Sequence, residues 1–130
     1  MTEDFLDQVK WNADGLVPVI TQDNVSKRIL TQAWLTREAL VAAVSEKRAV
    51  YWSRSRQSLW RKGEQSGNVQ ELVDVYLDCD NDSVCYLVNQ IGGVACHTGR
   101  ESCFFQKLVD GEWQAVDPVI RDPKQMYGGK

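Results

Sequence analysis

Two short segments, residues 77–82 and 92–103, hold most of the side chains in this 130-residue sequence that could carry out metal chemistry. In chain order these side chains are Asp78, Cys79, Asp80, Asp82, Cys96, His97 and Cys103. Thiolates are soft ligands that suit zinc, whereas carboxylates are hard ligands that suit magnesium. The two segments therefore offer ligands for two different metals, and they predict a metal-dependent active site.

Cys79, Cys96 and Cys103 are the predicted zinc ligands. Three protein ligands leave one tetrahedral position open, which is typical of catalytic zinc, and a water there loses a proton at about pH 7. The fourth cysteine, Cys85, is a further candidate ligand, but it lies in an apolar run and we expect it to pack as a small hydrophobe. The spacing matches no paired C-x-x-C zinc ribbon, and disulfide pairing is the alternative interpretation.

Asp78, Asp80 and Asp82 alternate with other residues, so in an extended segment their carboxylates share one face. Clustered carboxylates repel one another unless a cation neutralises them, and magnesium commonly bridges carboxylates to phosphates. A solvated acidic turn is the alternative. A calcium EF-hand is excluded because Ser83 and Asn89 stand where that loop needs glycine and glutamate.

Three roles fit His97, the only histidine: a general base, a zinc ligand or a packed loop residue. Upstream, residues 51–67 interleave basic and aromatic side chains, which suit phosphate and a nucleobase respectively. The candidate substrate-binding residues in this segment are Trp52, Arg54, Arg56, Arg61, Lys62 and Ser66. Such a segment also resembles a single-strand nucleic-acid platform, but the net charge of −3 argues against that function. A solvated hairpin is the other alternative.

The composition is that of one globular domain with an ordinary balance of apolar and charged residues. No apolar run approaches the roughly 20 residues that a membrane span needs. The acidic N-terminus lacks the order of a signal peptide, so we expect a cytosolic protein with reduced thiols.

Hydrophobic patterning predicts a mainly β (α+β) domain with one substantial helix. The helix should begin after the N-cap Thr36 and continue to about Lys47. Pro18 suggests that the first strand lies at a sheet edge, and Asp110-Gly111 predicts a type I′ hairpin. The tail after Asp117 should be loosely ordered. The expected strands are residues 16–21, 28–35, 49–56, 59–62, 69–77, 84–91, 104–109 and 113–116.

Several segments together resemble phosphoribosyl-AMP cyclohydrolase, the enzyme that opens the adenine ring in histidine biosynthesis. The resemblance covers nearly the whole chain, and the combination of its motifs is highly specific. The segments that carry it are residues 11–18, 33–35, 51–56, 59–67, 77–82 and 95–105. One departure is Gly92-Gly93-Val94, one residue longer than in many members, and we expect the loop to absorb it.

The resemblance implies a strand-rich folded mixed sheet or pseudobarrel and a homodimer. It implies zinc on Cys79, Cys96 and Cys103, in a site shared between subunits. Magnesium would bind the three aspartates, Asp78, Asp80 and Asp82. We expect a monofunctional domain over residues 1–130, without a fused pyrophosphatase domain.

The implied reaction is hydrolysis of the N1–C6 bond of the purine ring in 1-(5-phosphoribosyl)-AMP. His97 would move the proton of the attacking water, and Glu64 is a weaker candidate for proton transfer to the ring. The basic residues, with magnesium, would bind the two phosphate ends. The alternatives are another zinc-dependent purine nucleotide deaminase, which would release ammonia, and a zinc-stapled nucleic-acid-binding module.

Overall fold

A computed structural model describes residues 4–124 and contains eight strands and one α-helix in that range. The helix α1 spans Arg37–Glu46, and short 3₁₀ helices span Asp4–Gln8 and Ile91–Gly93. No helix in residues 4–124 is long and apolar enough to cross a membrane. The strands are β1 (Val17–Asp23), β2 (Ile29–Leu35), β3 (Val50–Ser53), β4 (Ser58–Arg61), β5 (Gln70–Leu77), β6 (Val84–Gln90), β7 (Gln106–Val109) and β8 (Glu112–Ala115).

Six strands form one mixed sheet in the order β4-β3-β2-β1-β6-β5. The β1–β6 pair is parallel, and the other pairs are antiparallel. The sheet curls because the start of β5 also bonds to the chain just before β3. Ala49 N–H donates to the Gln70 carbonyl at 2.9 Å, and Leu72 N–H donates to the Lys47 carbonyl at 3.0 Å. The result is a half-barrel, which confirms the predicted mainly β fold with one helix.

Helix α1 packs across this half-barrel and buries Ala39, Leu40 and Ala43. The predicted cap at Thr36 is present, since its hydroxyl accepts the Ala39 N–H at 3.1 Å. At the other end Lys47 adopts a left-handed conformation (φ 59°), and its N–H bonds to the Ala43 carbonyl. Both ends of the helix therefore lie within a residue of where the sequence predicts them.

A buried chain of hydrogen bonds crosses the interior of the half-barrel. The Tyr51 hydroxyl lies 2.7 Å from Thr21 Oγ1 and donates to Gln70 Oε1 at 2.5 Å. Gln70 Nε2 in turn donates to Gln90 Oε1 at 2.8 Å. Burial raises the pKa of Tyr51 well above its ordinary value, so this phenol stays neutral and serves as a structural crosslink.

Two strand predictions are wrong. Strand β1 lies in the centre of the sheet, between β2 and β6, and Pro18 is tolerated because the pairing with β6 begins only at Val19. Strand β3 ends at Ser53, and residues 54–57 form the turn to β4. Arg54 and Arg56 therefore belong to a turn and do not share a strand face with Trp52.

The second, two-stranded sheet is the hairpin of β7 and β8. Asp110 (φ 50°) and Gly111 (φ 82°) both have positive φ, as a type I′ turn requires, so the predicted turn is confirmed. The tail that was predicted to be loosely ordered is attached to the loop of residues 94–103 at two of its residues, and residues 125–130 of that tail lie outside the described residues. Ile120 and Arg121 both donate their backbone N–H to the Gly99 carbonyl, at 2.8 and 3.2 Å.

Candidate active site

Residues 94–103 fold into a tight loop that brings Cys96 close to Cys103. Within the loop, Ala95 N–H donates to the Glu101 carbonyl and Cys96 N–H donates to the Arg100 carbonyl, each at 3.1 Å. At its end, Cys103 N–H donates to the Leu30 carbonyl of β2 at 2.7 Å. The loop is therefore fastened to the sheet at the position of a predicted zinc ligand.

The two thiols of this loop interact. Cys96 is only 3% exposed, and its sulfur lies 3.0 Å from the Thr98 hydroxyl. Cys103 is exposed overall, but loss of hydration around its sulfur raises its pKa, a hydrogen bond with Thr31 lowers it, and the Cys96 thiol raises it again. Two adjacent thiols of this kind suit a soft divalent cation, which would stabilise both as thiolates.

A buried lysine lies beside the thiol pair. Lys62 is 5% exposed, and its ammonium donates to the Ala95 carbonyl at 2.5 Å and lies 5.4 Å from the centre of the Trp60 ring. Burial lowers the pKa of Lys62, and the nearby thiols of Cys103 and Cys96 oppose that change. The ammonium is thus within electrostatic reach of two predicted zinc ligands.

Gly63 lets the chain turn sharply after Lys62. Its φ is +92°, and a side chain would place Cβ 2.4 Å from the backbone nitrogen of Val69. The turn that follows is closed by Gly67 N–H, which donates to the Gly63 carbonyl at 2.9 Å. Two other predicted site residues lie in this turn: Glu64 is exposed, and the Ser66 hydroxyl accepts the Asn68 N–H at 3.1 Å.

The basic side chains predicted to bind substrate lie in different surroundings. Arg61, adjacent to the buried Lys62, pairs with Glu46 of α1 through two nitrogens, at 2.9 and 2.7 Å. Arg54 is exposed and stacks over the Trp34 ring, with 4.8 Å between its guanidinium carbon and the ring centre. Arg56 is exposed in the same turn as Arg54. These two arginines are the more accessible members of the group.

Trp52 is half-buried in β3, where it pairs across the sheet with Trp34 of β2. Arg54 stacks on the same Trp34 ring. The two tryptophans and Arg54 therefore place aromatic surface and positive charge together at this part of the sheet, as the sequence pattern suggests for a phosphorylated base.

The predicted magnesium ligands lie in the exposed turn between β5 and β6. Asp78 Oδ1 accepts the Asp82 N–H at 3.0 Å, and the Asp78 N–H donates to the Ser83 carbonyl, also at 3.0 Å. Loss of hydration and then the charges of Asp78 and Asp80 raise the pKa of Asp82. The carboxylates thus oppose one another in the absence of a cation.

Cys79, the third predicted zinc ligand, lies exposed in this acidic turn, with its sulfur 3.9 Å from Asp80 Oδ1. Within residues 4–124, no three histidine, cysteine or carboxylate side chains are placed so that they could hold one metal ion. The thiol pair and Cys79 therefore do not converge within one chain. His97 is exposed beside Cys96, and its role stays a prediction.

Cys85 is half-buried in β6, and burial raises its pKa. This placement agrees with the packing role expected from the sequence.

Sequence reasoning missed Thr98 and the attachment of Gly99 to the tail. A side chain at position 99 would bring Cβ to 1.8 Å from the Arg121 carbonyl oxygen. No local signal could have indicated that contact, because its partner lies about 20 residues further along the chain.

Comparison with known proteins assigns the family. Residues 31–105 match the family model described as phosphoribosyl-AMP cyclohydrolase. Proteins of that name from Pseudomonas paraeruginosa and Pseudomonas aeruginosa are 58% identical over 125 residues, which cover 96% of this chain and 93% of theirs. The protein of the same name from Pseudomonas entomophila is 55% identical, and the alignment covers 96% of each chain.

The chain belongs to the phosphoribosyl-AMP cyclohydrolase family. The resemblance carried by the motifs is thereby confirmed, and so is the prediction that this chain is a hydrolase. The range matched by the family model includes every residue predicted for metal binding, substrate binding or catalysis.

Proposed function

We propose that this protein hydrolyses the N1–C6 bond of the adenine ring in 1-(5-phosphoribosyl)-AMP, as a step of histidine biosynthesis in the cytosol. The observation that carries the proposal is the similarity to the Pseudomonas cyclohydrolases over nearly the whole chain. The geometry is compatible with it, because a thiol pair, a histidine and accessible arginines occur in one domain.

Zinc is the metal that the thiol pair fits best. Cys96 and Cys103 interact directly, and Cys79 of a second copy would supply the third thiol. When bound, zinc would act as a Lewis acid that activates water and polarises the carbon under attack. The protein would hold the metal with three sulfurs and leave one position open.

The remaining chemistry falls to side chains. His97, exposed next to a zinc ligand, takes a proton from the attacking water, and Glu64 delivers a proton to the ring nitrogen that leaves. Arg54 and Arg56 bind phosphate from their exposed turn, and Trp52 offers an aromatic face for the base. Arg61 and Ser66 stay candidates for substrate binding, although Arg61 already pairs with Glu46.

Magnesium is assigned to the acidic turn. Asp78, Asp80 and Asp82 lie within five residues, and loss of hydration together with the charges of Asp78 and Asp80 raises the pKa of Asp82. A magnesium ion would relieve this repulsion and still keep waters or substrate phosphate in its remaining positions. We therefore expect firm magnesium binding only when the phosphorylated substrate is present.

A homodimer would complete the site. Strand β5 lies at the end of the sheet, and beyond Leu72 no described strand pairs with its outer edge. Its exposed apolar side chains include Val73, Val75 and Leu77, the last 38% exposed. They line a groove of about 920 Å³ together with Leu40 and Val44 of the helix. Apolar edge strands of this kind are normally covered.

A second apolar surface of the same chain also lacks a cover. The β7–β8 hairpin exposes Leu108 and Trp113, which face each other across the pair, and Trp113 is 68% exposed. An isolated two-stranded hairpin is marginally stable in water, so it needs a packing partner. Cys103 lies just before β7, and Cys79 comes just after β5, so an interface between these surfaces would carry thiols from both copies.

Product analysis tests the activity directly. The purified protein is incubated with phosphoribosyl-AMP, zinc and magnesium, and the products are examined by mass spectrometry and an ammonia assay. Ring opening adds one water to the substrate and releases no ammonia, which is the result we expect.

The two alternatives give different results in the same experiment. A purine nucleotide deaminase would release one ammonia per turnover and leave the ring closed. A zinc-stapled nucleic-acid binder would leave the substrate unchanged and bind single-stranded oligonucleotides with a steep dependence on salt. Either result would refute the cyclohydrolase proposal.

A further inference from the structure

The buried ammonium of Lys62 has no carboxylate partner among the ion pairs of residues 4–124. Its near neighbours are the Ala95 carbonyl, the Trp60 ring and the thiols of Cys96 and Cys103. Taking an ammonium out of water is costly unless an anion compensates it. The groups near Lys62 that can become anionic are the two thiols.

The charge of the predicted zinc site supplies the missing partner. Three thiolates and one Zn²⁺ carry a net charge of −1, and beside the buried Cys96 a nearby cation would stabilise that charge. Lys62 provides one positive charge, so lysine and site together are neutral. The positive charge of Lys62 and the net negative charge of the site therefore compensate each other.

The backbone fixes Lys62 in this position. Lys62 N–H donates to the Ala49 carbonyl at 3.3 Å, and its own carbonyl accepts from Arg48 Nη2 at 2.9 Å. At its tip, the ammonium donates to the carbonyl of Ala95, the residue just before Cys96. The side chain is thus held at both ends and directed toward the thiol loop.

We propose that Lys62 is a positioning residue whose fixed positive charge balances the thiolate zinc site and orients the loop of Cys96. This role replaces the phosphate contact that the sequence pattern suggested for it. The inference rests on the proposed function, since it takes the zinc site of that proposal as its object. A buried ammonium bonded to a carbonyl is poorly placed to reach a phosphate in solvent.

Zinc affinity of the purified protein, measured by competition with a chromogenic chelator, tests the role. Lys62→Gln keeps a donor for the Ala95 carbonyl but removes the charge, and Lys62→Met removes both. We expect both variants to bind zinc about 10- to 100-fold more weakly, the usual effect of losing a partner of a metal ligand. Lys62→Arg keeps the charge and should retain most of the affinity. Lys27→Met, which removes an exposed lysine, is the matched control and should change nothing.

Thermal unfolding of the metal-free variants shows whether a loss of zinc affinity comes from the lost charge or from a failure to fold. If Lys62→Met does not fold, the comparison of Lys62→Gln with Lys62→Arg still decides the question. Unchanged zinc affinity in Lys62→Gln, or an equal loss in folded Lys62→Arg, overturns the charge-balancing role. If the unmodified protein binds no zinc at all, the zinc part of the proposed function fails instead, so the two failures are distinct.

Discussion

The loop of residues 94–103 and the turn of residues 78–83 contain the predicted metal ligands, but they differ in burial and in how firmly the chain holds them. In the loop, Cys96 is buried, Cys103 is fastened to β2, and a buried lysine lies alongside. In the turn, Cys79 and the carboxylates are exposed, and the carboxylates repel one another. One region is assembled by the folding of a single chain, whereas the other is left open.

Under the proposed function, this difference would let a small domain hold a three-thiol site that it completes only with a second copy. The loop supplies two thiols in fixed positions, and the buried Lys62 beside it would supply the compensating charge. The turn follows the uncovered strand β5 and can deliver its thiol to another copy. The open region would therefore depend on assembly with a second copy.

Mixing two inactive variants should give the largest effect. Cys79→Ala and Cys103→Ala should each abolish zinc binding and activity, because each removes a zinc ligand. After subunit exchange, half of the dimers are mixed, and each mixed dimer has one intact site of two. Activity should therefore recover to about a quarter of the unmodified level if ligands cross the interface. The measurement is the turnover of phosphoribosyl-AMP before and after mixing.

Cys85→Ala is the control for this experiment. The thiol of Cys85 is half-buried in β6, outside both regions, so zinc content and activity should persist. No recovery on mixing, combined with full zinc content in either single variant, would show that the two regions are not parts of one site.

Replacing one carboxylate of the open turn should give a smaller effect. Asp80→Asn removes one negative charge, so the magnesium concentration needed for half-maximal activity should rise on the order of tenfold, as is typical when a metal site loses a partner. Zinc content, measured by elemental analysis, should stay nearly unchanged. Loss of zinc with an unaltered magnesium response would mean that the carboxylates serve the thiol site.

The smallest effects concern the turn of residues 63–67, which follows the buried Lys62. In Gly63→Ala the alanine must adopt a positive φ, and its Cβ is forced against the Val69 backbone. The free energy of unfolding should therefore fall by about 3 kcal/mol or more. Gly67→Ala has a similar φ but open space around it, so the loss should be about 1–2 kcal/mol. Urea unfolding measures both changes. Equal losses would show that contact with Val69 does not constrain the turn.

Local patterns predicted much of this fold correctly. The cap at Thr36 and the Asp110-Gly111 turn depend on neighbouring residues only, and both are present. The position of β1 was predicted incorrectly because Pro18 carries information about its own strand only. The sheet order depends on the parallel pairing of β1 with a strand more than 60 residues away. Sequence gives no direct measure of such distant pairing.

The candidate site shows the same limit. The spacing identified the thiols and carboxylates, but it grouped Arg61 and Lys62 as neighbours with one task. In the structure Arg61 pairs with Glu46 on the helix, and Lys62 reaches the thiol loop. Adjacent residues near the end of a strand face opposite ways, and what each one meets is decided by distant elements. The metal ligands themselves stay predictions.

The fastening of Gly99 by Ile120 and Arg121 has a consequence for synthesis on the ribosome. All predicted ligands have been translated by residue 103, yet the segment that closes their loop follows about 17 residues later. A nascent chain thus acquires its metal-binding side chains before it can lock them in place. We expect a shortened chain that ends at Ala115 to contain every motif of the family and still hold its thiol loop loosely.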